Sequence, residues 1–289
     1  MILITGATGN IGRELVRLLA ERGAPFRALV RDRVRATALL GATVPLVEGD
    51  LARPETLDAA LDGVDRVFLL SSNAPDQVEL QGNMVRAAQR AHVAHLVKLS
   101  GLRPAPDPAR IVDSWHHLTE VEIRQSGLPF TFLQPGFFAQ DLFLYAEPIR
   151  RDRILPTPTS GAIAFVDTRD IAAVAAAVLT ERGHEGRTYP LTGPSALTFG
   201  DAARALSEVL GHPVTHQRIT YEEAASGLRS AGLPDWLGAY VLALYRSFDE
   251  GAGAEVTAHV AQITGRPARA FEDFARDHAS LFQRGGDDR

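Results

Sequence analysis

The sequence predicts an α/β fold built on a doubly wound parallel sheet, followed by a smaller, mostly helical C-terminal region. In the first half of the chain, short and nearly continuous apolar runs alternate with longer segments of helical periodicity. This alternation is typical of buried parallel strands that are joined by right-handed helical crossovers. After about residue 135 the pattern changes, and from Gly193 onward it is mostly helical.

Six short apolar runs are predicted as the first strands, because a parallel sheet buries its strands on both faces. They cover residues 2–5, 26–30, 44–47, 66–70, 96–99 and 130–133. A strand over 188–191 is expected to return to the sheet after a helix over 168–180. The other predicted helices cover 11–22, 54–61, 77–91, 113–126, 199–210, 221–231, 235–248, 254–263 and 270–281.

The bulk composition excludes several function classes. The chain has 289 residues, a net charge of −5 and no cysteine, so thiolate nucleophiles, disulfides and iron–sulfur clusters are ruled out. A mildly acidic chain does not favour nucleic acid as a partner, and no run is long and apolar enough to span a membrane. No leader segment precedes the first strand, so a cytoplasmic location is expected. The histidine pairs at 92/95 and 212/216 lack an accompanying acidic cluster, and no metal site is predicted.

Three glycines mark the turn from the first strand into the first helix. Gly6 permits the tight turn, Gly9 leaves room for a diphosphate, and Gly12 lets the helix pack closely on the strand. The helix N-terminus would then present free N–H groups to the phosphates. This predicts a Rossmann dinucleotide-binding turn, and the alternative is an ordinary strand–helix turn. The predicted cofactor contacts of the turn also include Thr8, Asn10 and Ile11.

The end of the second strand indicates which dinucleotide binds. An acid at this position bonds the ribose 2′-OH of NAD(H), whereas an arginine pairs with the 2′-phosphate of NADP(H). The strand over 26–30 is followed directly by Arg31, which favours NADP(H). Asp32 keeps the alternative open, because a register error of one residue would place an acid at the ribose.

The motif Thr-Gly-Ala-Thr-Gly-Asn-Ile-Gly at positions 5–12 resembles the opening of atypical short-chain dehydrogenases/reductases. Further segments are similar to the NmrA-like branch, which includes NADPH:quinone oxidoreductases and triphenylmethane reductases. These are Gly-Asp-Leu at 49–51, Gly-Leu-Pro-Phe-Thr-Phe-Leu-Gln-Pro-Gly-Phe-Phe at 127–138, Val-Asp-Thr-Arg-Asp-Ile-Ala at 166–172 and Leu-Thr-Gly-Pro at 191–194. Together they extend over most of the chain.

The resemblance implies roles for residues beyond the glycine turn. Asp50 is expected at the adenine amino group, although it could instead cap a helix. Residues at the ends of the later strands are expected to line the cofactor, namely Leu70, Ser71, Ser72, Lys98, Pro135 and Phe137. The alternative for Lys98 is a surface charge. Phe137 and Phe138 follow a strand's C-terminal end, where open α/β sheets bind ligands, and are predicted to line the substrate pocket.

These expectations divide the chain into a cofactor-binding domain, a substrate-binding region and a tail. Residues 1–150 are predicted to form the NADP(H)-binding Rossmann domain, with 164–192 returning to its sheet. Residues 193–283 are predicted to form a smaller helical substrate-binding region, and 284–289 a flexible tail. The loop over 101–110, with its three prolines, is either a lid or a plain connection.

The chain cannot contain the Tyr-x-x-x-Lys pair that most short-chain dehydrogenases use as proton donor. Lys98 is its only lysine, and Ala94 stands four residues before it. One possibility is hydride transfer to an acceptor such as a quinone, which needs little acid assistance. A second is a substitute acid, since an imidazole titrates near neutral pH. The resemblance places the family's catalytic region on the helix over 113–126, which carries His116 and His117, and it places His116 near the position of a lysine in some relatives. The alternative for both is a surface or packing role.

A third possibility is that the protein binds the dinucleotide without catalysis and acts as a regulator. Ser100 is not predicted to be a nucleophile, since no nucleophile elbow surrounds it. The resemblance implies instead that it bonds substrate or cofactor, as serines of the family do at this strand end. The function that the sequence favours is NADPH-dependent hydride transfer to a quinone or similar planar electrophile, without flavin. The alternatives are an NADP(H)-sensing regulator and a reductase or isomerase of a small aromatic metabolite. A homodimer is possible.

Overall fold

The computed structural model describes residues 1–107 and 109–283. The chain divides into two compact units, which are interleaved in sequence. Unit 1 consists of Met1–Pro135, Thr168–Leu191 and His259–Arg266, and unit 2 consists of Gly136–Asp167, Thr192–Ala258 and the described residues from Pro267 onward. The predicted tail over 284–289 lies outside the described residues, as does Pro108 of the loop over 101–110.

Unit 1 contains a seven-stranded sheet in the order β3-β2-β1-β4-β5-β6-β8, with every neighbouring pair parallel. Its strands are β1 (Ile2–Ile4), β2 (Phe26–Val30), β3 (Leu46–Glu48), β4 (Arg66–Leu69), β5 (His95–Leu99), β6 (Phe130–Pro135) and β8 (Arg187–Leu191). The predicted α/β fold with a parallel sheet is confirmed, because each apolar run that predicted a strand overlaps one of these. The strand order reverses direction at β1, whose two neighbours are β2 and β4.

The connections of unit 1 are mostly helical. They are α1 (Asn10–Glu21), α2 (Arg33–Leu40), a 3₁₀ helix (Pro54–Thr56), α3 (Leu57–Ala60), α4 (Gln77–Arg90), α5 (Ile111–Ser126), α7 (Thr168–Thr180) and α11 (His259–Thr264). Helix α1 packs against α7, and α4 packs against α5. A core of buried apolar residues joins α3, α4 and α5 to the sheet through side chains such as Met84, Leu96, Ile123 and Phe132.

Unit 2 is built around a cluster of buried aromatic side chains that includes Phe165, Phe199, Tyr245 and Phe274. Its elements are a 3₁₀ helix (Ala139–Tyr145), α6 (Ala146–Asp152), β7 (Ile154–Thr157), α8 (Phe199–Leu210), β9 (Thr215–Arg218), α9 (Tyr221–Ser230), α10 (Asp235–Asp249), α12 (Phe271–Asp277) and α13 (Ala279–Phe282). Strands β7 and β9 form a parallel pair of their own. None of the helices within 1–107 and 109–283 is long and apolar enough to cross a membrane.

The observed boundaries differ from the predicted ones at several places. Unit 1 ends at Pro135 rather than near residue 150, because β6 ends there and the following chain packs in the aromatic core of unit 2. Strands β7 and β9 were not predicted. The predicted helix over 254–263 begins only at His259, and the one over 270–281 is interrupted at His278.

Candidate cofactor and active site

The glycine turn after β1 is shaped so that side chains are excluded from it. Gly6 has a φ of +65°, and a Cβ there would lie 2.8 Å from the Cγ of Leu70. A Cβ on Gly12 would overlap the carbonyl oxygen of Gly6 and lie 2.6 Å from the Cα of Ala7. Around Gly9 the space is open apart from the carbonyl oxygen of Gly6, which a Cβ on Gly9 would approach to 3.4 Å. The turn is thus closed against the strand and open on the side where Gly9 lies.

Helix α1 begins directly at this open side. Its N-cap is Gly9, which supplies no side-chain cap, and its first turn holds no acidic residue. The first N–H groups of a helix have no intrahelical partner and lie at the positive end of the helix dipole. Thr8 and Asn10 are exposed, whereas the side chain of Ile11 is buried in the core. The residues therefore fit a diphosphate, which would be held by backbone N–H groups.

The contacts at the start of α2 distinguish Arg31 from Asp32. Asp32 is the N-cap of this helix, and its Oδ1 accepts a hydrogen bond from the backbone N of Arg35 at 2.9 Å. Arg33 is paired with Glu48 at 3.2 Å. Arg31 is exposed, and no ion pair or hydrogen bond joins its side chain to any described residue. An unpaired guanidinium directly after β2 fits a ribose 2′-phosphate.

Asp50 stabilises a turn rather than capping a helix. Its Oδ1 accepts from the backbone N of Ala52 at 3.0 Å, and its own N–H donates to the Oγ1 of Thr56 at 3.0 Å. The second carboxylate oxygen has no partner among the described residues. The role of Asp50 at the adenine stays a prediction, and this second oxygen is the atom available for it.

The end of β4 carries the three residues that the resemblance assigned to the cofactor. The backbone N and O of Leu70 both bond the Oγ1 of Thr5, at 2.8 and 2.7 Å. The Oγ of Ser71 accepts from the side-chain amide of Gln81 at 2.9 Å, and Ser72 is exposed. These contacts hold the backbone after β4 beside the glycine turn, since a Cβ on Gly6 would touch Leu70.

Lys98 is fully buried, which excludes the surface-charge alternative. Its Nζ lies 2.9 Å from the carbonyl oxygen of Leu99 and 2.9 Å from the Nδ1 of His116 on α5. The side-chain amide nitrogen of Gln77 lies 3.3 Å from the same Nδ1. Burial lowers the pKa of Lys98 to about 7, although the charge of Glu120 opposes this effect.

The structure corrects the expectation that His116 titrates near neutral pH. Burial, and then the charge of Lys98, lower the pKa of His116 well below 6.5. The imidazole is therefore neutral at pH 7. Because the N–H groups of Lys98 and Gln77 face Nδ1, the ring proton belongs on Nε2. His116 can donate a hydrogen bond from Nε2, but it does so as a neutral imidazole.

A second buried group lies beside this pair. The Oγ of Ser100 donates to the Oε1 of Glu120 at 2.6 Å, and the side-chain amide of Gln134 donates to the same oxygen at 2.9 Å. Arg124 pairs with the other carboxylate oxygen at 3.1 Å. The hydroxyl proton of Ser100 is thus used in the hydrogen bond to Glu120, and the Ser100 Oγ can only accept a hydrogen bond from a ligand.

Sequence reasoning missed Glu120 and Gln77. A signal for Glu120 was present, because Asp113, His116 and Glu120 have i, i+3, i+7 spacing and share one face of α5. No comparable signal marks Gln77, which is the first residue of α4 and is buried only because α4 packs on α5.

The aromatic residues after β6 belong to unit 2. The Phe137 ring packs edge-on against Phe165 and Phe248, with centroids 5.8 and 5.6 Å away, so much of it lies in the aromatic core. Phe138 is half-buried and stands at the N-cap of the 3₁₀ helix. Pro135 is the last residue of β6 and pairs with Leu191 in unit 1. The roles of these residues toward cofactor and substrate stay predictions.

Within the described parts of the chain, no three His, Asp or Glu side chains are grouped so that they could hold a metal ion. Of the histidine pairs considered from the sequence, His95 is buried and its Nε2 bonds Thr131 at 2.8 Å. His216 bonds Thr157, and the ring of His212 points to its neighbour Pro213. These contacts are structural.

The strand order and the glycine-lined turn at β1 together define a Rossmann-type dinucleotide-binding protein. The chain belongs to the NmrA-like family, since the family model matches residues 1–268. The resemblance found from sequence motifs is thereby confirmed.

Individual proteins are similar over almost the whole chain. This chain is 43% identical over 283 residues to an NAD(P)H azoreductase of Xenophilus azovorans, and the match covers 98% of this chain and 99% of the relative. It is 39% identical over 284 residues to a (4-alkanoyl-5-oxo-2,5-dihydrofuran-3-yl)methyl phosphate reductase of Streptomyces griseus subsp. griseus, covering 98% and 99%. The crystal structure of an NADPH-dependent quinone oxidoreductase from Escherichia coli, in complex with NADPH, superimposes with a TM-score of 0.88 at 28% identity, covering 96% of this chain and 99% of that chain.

Proposed function

We propose that the protein catalyses the NADPH-dependent reduction of a quinone or a similar planar electrophile, by direct hydride transfer without a flavin. It is an NAD(P)H-dependent oxidoreductase of the NmrA-like family, and its cofactor is NADP(H). The observation that carries the choice of reaction is the contact between the fully buried Lys98 and the partly exposed His116 at the C-terminal end of β5, the edge at which open α/β sheets bind ligands.

The chain's own residues define how the cofactor is held. The open side of the glycine turn and the N-terminus of α1 would hold the diphosphate, and Arg31 would pair with the 2′-phosphate. Asp50 would accept from the adenine amino group. Leu70, Ser71 and Ser72 would line the ribose beyond β4. Bound NADPH supplies the hydride, and the protein's task is to orient it and to control the proton.

His116 is the residue that we assign to the acceptor. A neutral imidazole whose Nδ1 is occupied by donors can offer only Nε2–H to a ligand, and this hydrogen bond would stabilise the oxygen or nitrogen that gains negative charge. Neutral histidine is a known electrophile of this kind in enzymes. Ser100 would accept a hydrogen bond at the same strand end, because its own proton is held by Glu120.

The relatives support an electrophilic acceptor. Their names specify an azoreductase, a quinone oxidoreductase and a reductase of a conjugated oxodihydrofuran. These substrates have different heteroatoms, but each is a conjugated system that can delocalise the charge delivered by a hydride. Such acceptors need a hydrogen-bond donor more than a strong acid, and the absence of a Tyr-x-x-x-Lys pair is consistent with this.

The test is NADPH oxidation by the purified protein with a panel of acceptors, followed at the absorbance band of the reduced nicotinamide. The panel contains a simple quinone, an azo dye and an unsaturated lactone. Acceptor-dependent decay with the quinone is expected, and a preference for the lactone would favour the metabolite-reductase alternative. Tight NADPH binding without turnover on any acceptor would refute the proposal in favour of an NADP(H)-sensing regulator.

His116→Ala tests the assigned donor, with His117→Ala as the matched control. His117 is the neighbouring half-buried residue on α5, and no described residue bonds its ring. Loss of one preorganised donor lowers kcat by about 100-fold, while His117→Ala should stay within about twofold of the wild type. Equal activity of the two variants would remove His116 from the site.

For the oligomeric state we propose a homodimer. The apolar Ile111 and Leu118 lie seven residues apart on one face of α5 and are 37% and 52% exposed. Light scattering on the wild type should give a dimer mass and on Leu118→Glu a monomer mass; a monomeric wild type would refute this.

A further inference from the structure

We propose that Lys98 is the proton store of this site and that His116 relays its proton to the reduced acceptor. This inference rests on the proposed function, and it adds a positioning and proton-supplying role for a residue that does not itself touch the substrate. It also explains how a chain without the usual tyrosine acid can complete a two-electron reduction.

The geometry connects the interior to the ligand side through one imidazole ring. Lys98 is fully buried, and among the described residues its Nζ has Leu99 O and His116 Nδ1 as its hydrogen-bond partners. His116 is partly exposed, and no described residue lies within hydrogen-bonding distance of its Nε2. One ring nitrogen therefore faces a buried donor and the other is left for a ligand. Gly101 borders the ring, because a Cβ there would lie 3.2 Å from its Cδ2.

Within residues 1–107 and 109–283, no carboxylate pairs directly with the Nζ of Lys98. Glu120 is the charged group that acts on it, but the Glu120 oxygens bond Ser100, Gln134 and Arg124. On the same helix, Asp113 pairs with Arg110 at 3.2 Å. A buried ammonium without a carboxylate partner loses much of its hydration, so its proton is released near pH 7, where an ordinary lysine would retain it.

The proton balance of the step is complete. After hydride transfer the acceptor carries one negative charge on oxygen or nitrogen. A bond forms between that atom and the Nε2 proton of His116, the Nε2–H bond breaks, and Nδ1 takes a proton from the Lys98 ammonium. The acceptor is then neutral, His116 is neutral in its other tautomer, and Lys98 is a neutral amine. Solvent restores the proton to Nε2 as Nδ1 returns its proton to Nζ.

The chain offers a direct test, because Lys98 is its only lysine. Protein labelled with ¹³C-lysine gives a single Cε resonance, and ¹⁵N-histidine labelling with His116→Asn as reference identifies the ring nitrogens. We expect the chemical shift of the Lys98 Cε to titrate with a midpoint near pH 7. The chemical shift of the His116 Nδ1 should be that of an unprotonated, hydrogen-bond-accepting nitrogen, and it should change with pH at the same midpoint. A lysine midpoint above 9, or a His116 ring protonated on Nδ1, would overturn the relay.

Kinetics supply the second readout. Wild-type kcat with 1,4-naphthoquinone should fall as pH rises through the Lys98 midpoint, because only the ammonium form holds the proton. Lys98→Met should lower kcat by about 100-fold with little change in the KM for NADPH, and should abolish that pH dependence. Lys98→Arg keeps a positive charge but cannot release its proton, so its kcat should be low and should not fall between pH 6 and 9.

The outcomes separate the two proposals. If the wild type oxidises NADPH with quinones but Lys98→Met retains the wild-type kcat and pH profile, the relay is wrong and the proposed function stands. If the wild type reduces no acceptor, the proposed function fails and the relay fails with it. Circular dichroism and the NADPH dissociation constant of each variant show whether lost activity reflects lost structure. The test of the relay is therefore the kcat of a Lys98→Met protein that folds and binds NADPH as the wild type does.

Discussion

Replacing Gly12 by alanine should damage both stability and cofactor binding. A Cβ at this position would lie 2.6 Å from the Cα of Ala7 and would overlap the carbonyl oxygen of Gly6. Since carbon atoms pack at about 3.5–4.0 Å, α1 must move away from the turn by about 1 Å. Overpacking of this kind costs about 1–3 kcal/mol, against which alanine regains at most about 1 kcal/mol of helix propensity.

Gly227 provides the matched control. It lies inside α9, is exposed, and would place its Cβ in open space. Gly227→Ala should therefore raise the free energy of unfolding by about 0.5–1 kcal/mol, whereas Gly12→Ala should lower it by about 1 kcal/mol once the gain in helix propensity is subtracted from the overpacking cost. Urea unfolding measures both variants under the same conditions.

The same displacement moves the N–H groups that would hold the diphosphate. We expect the dissociation constant of NADPH, measured by calorimetry, to rise at least about 10-fold in Gly12→Ala, which corresponds to about 1.4 kcal/mol. Gly227→Ala should bind as the wild type does. A Gly12→Ala protein with unchanged stability and unchanged NADPH affinity would refute the assignment of this turn.

Three further predictions concern unit 1, two at the buried residues His95 and Glu120 and one at Gly101 beside the His116 ring. Burial lowers the pKa of His95 from 6.5 to about 4. Between these pH values the unfolded chain binds more protons than the folded chain, so the free energy of unfolding falls as the pH falls, by about 3 kcal/mol in total. In urea unfolding, His95→Gln should lack this pH-dependent loss. Glu120→Gln should move the Lys98 midpoint in the ¹³C titration below that of the wild type, because the Glu120 charge raises the pKa of Lys98; an unchanged midpoint would contradict the coupling. Gly101→Ala should crowd the His116 ring and lower kcat by about 10-fold with NADPH affinity unchanged, and wild-type kcat would show that the ring position does not matter.

The parallel sheet was predictable because its signals are local. Apolar runs of four to six residues separated by helical periodicity specify buried strands and crossovers wherever they occur. The bounds of β2, α7 and α8 agree with the predicted ranges 26–30, 168–180 and 199–210. Strands β7 and β9 lack such a signal. The sequence Thr-His-Gln-Arg of β9 is polar and exposed for most of its length, and it is a strand only because β7 lies beside it.

The polar site was predicted only in part, because side-chain type alone does not reveal burial. A lysine in an apolar run is as compatible with a surface charge as with a ligand contact, and only the folded structure shows that Lys98 is buried and packed beside His116 of α5. The same packing lowers the pKa of His116, which changes it from an expected acid into a neutral donor. In contrast, the glycine turn and the role proposed for Arg31 could be predicted from spacing, since they depend on backbone shape and on position after a strand.

The central claim is that the N-terminus of α1 and Arg31 together hold the phosphates of NADPH. The most direct measurement compares the dissociation constants of NADPH and NADH for the wild type and Arg31→Ala. A charge-assisted pair with the 2′-phosphate predicts that Arg31→Ala weakens NADPH by about 10- to 100-fold and leaves NADH within about twofold. Equal weakening of both dinucleotides, or of neither, would contradict the account.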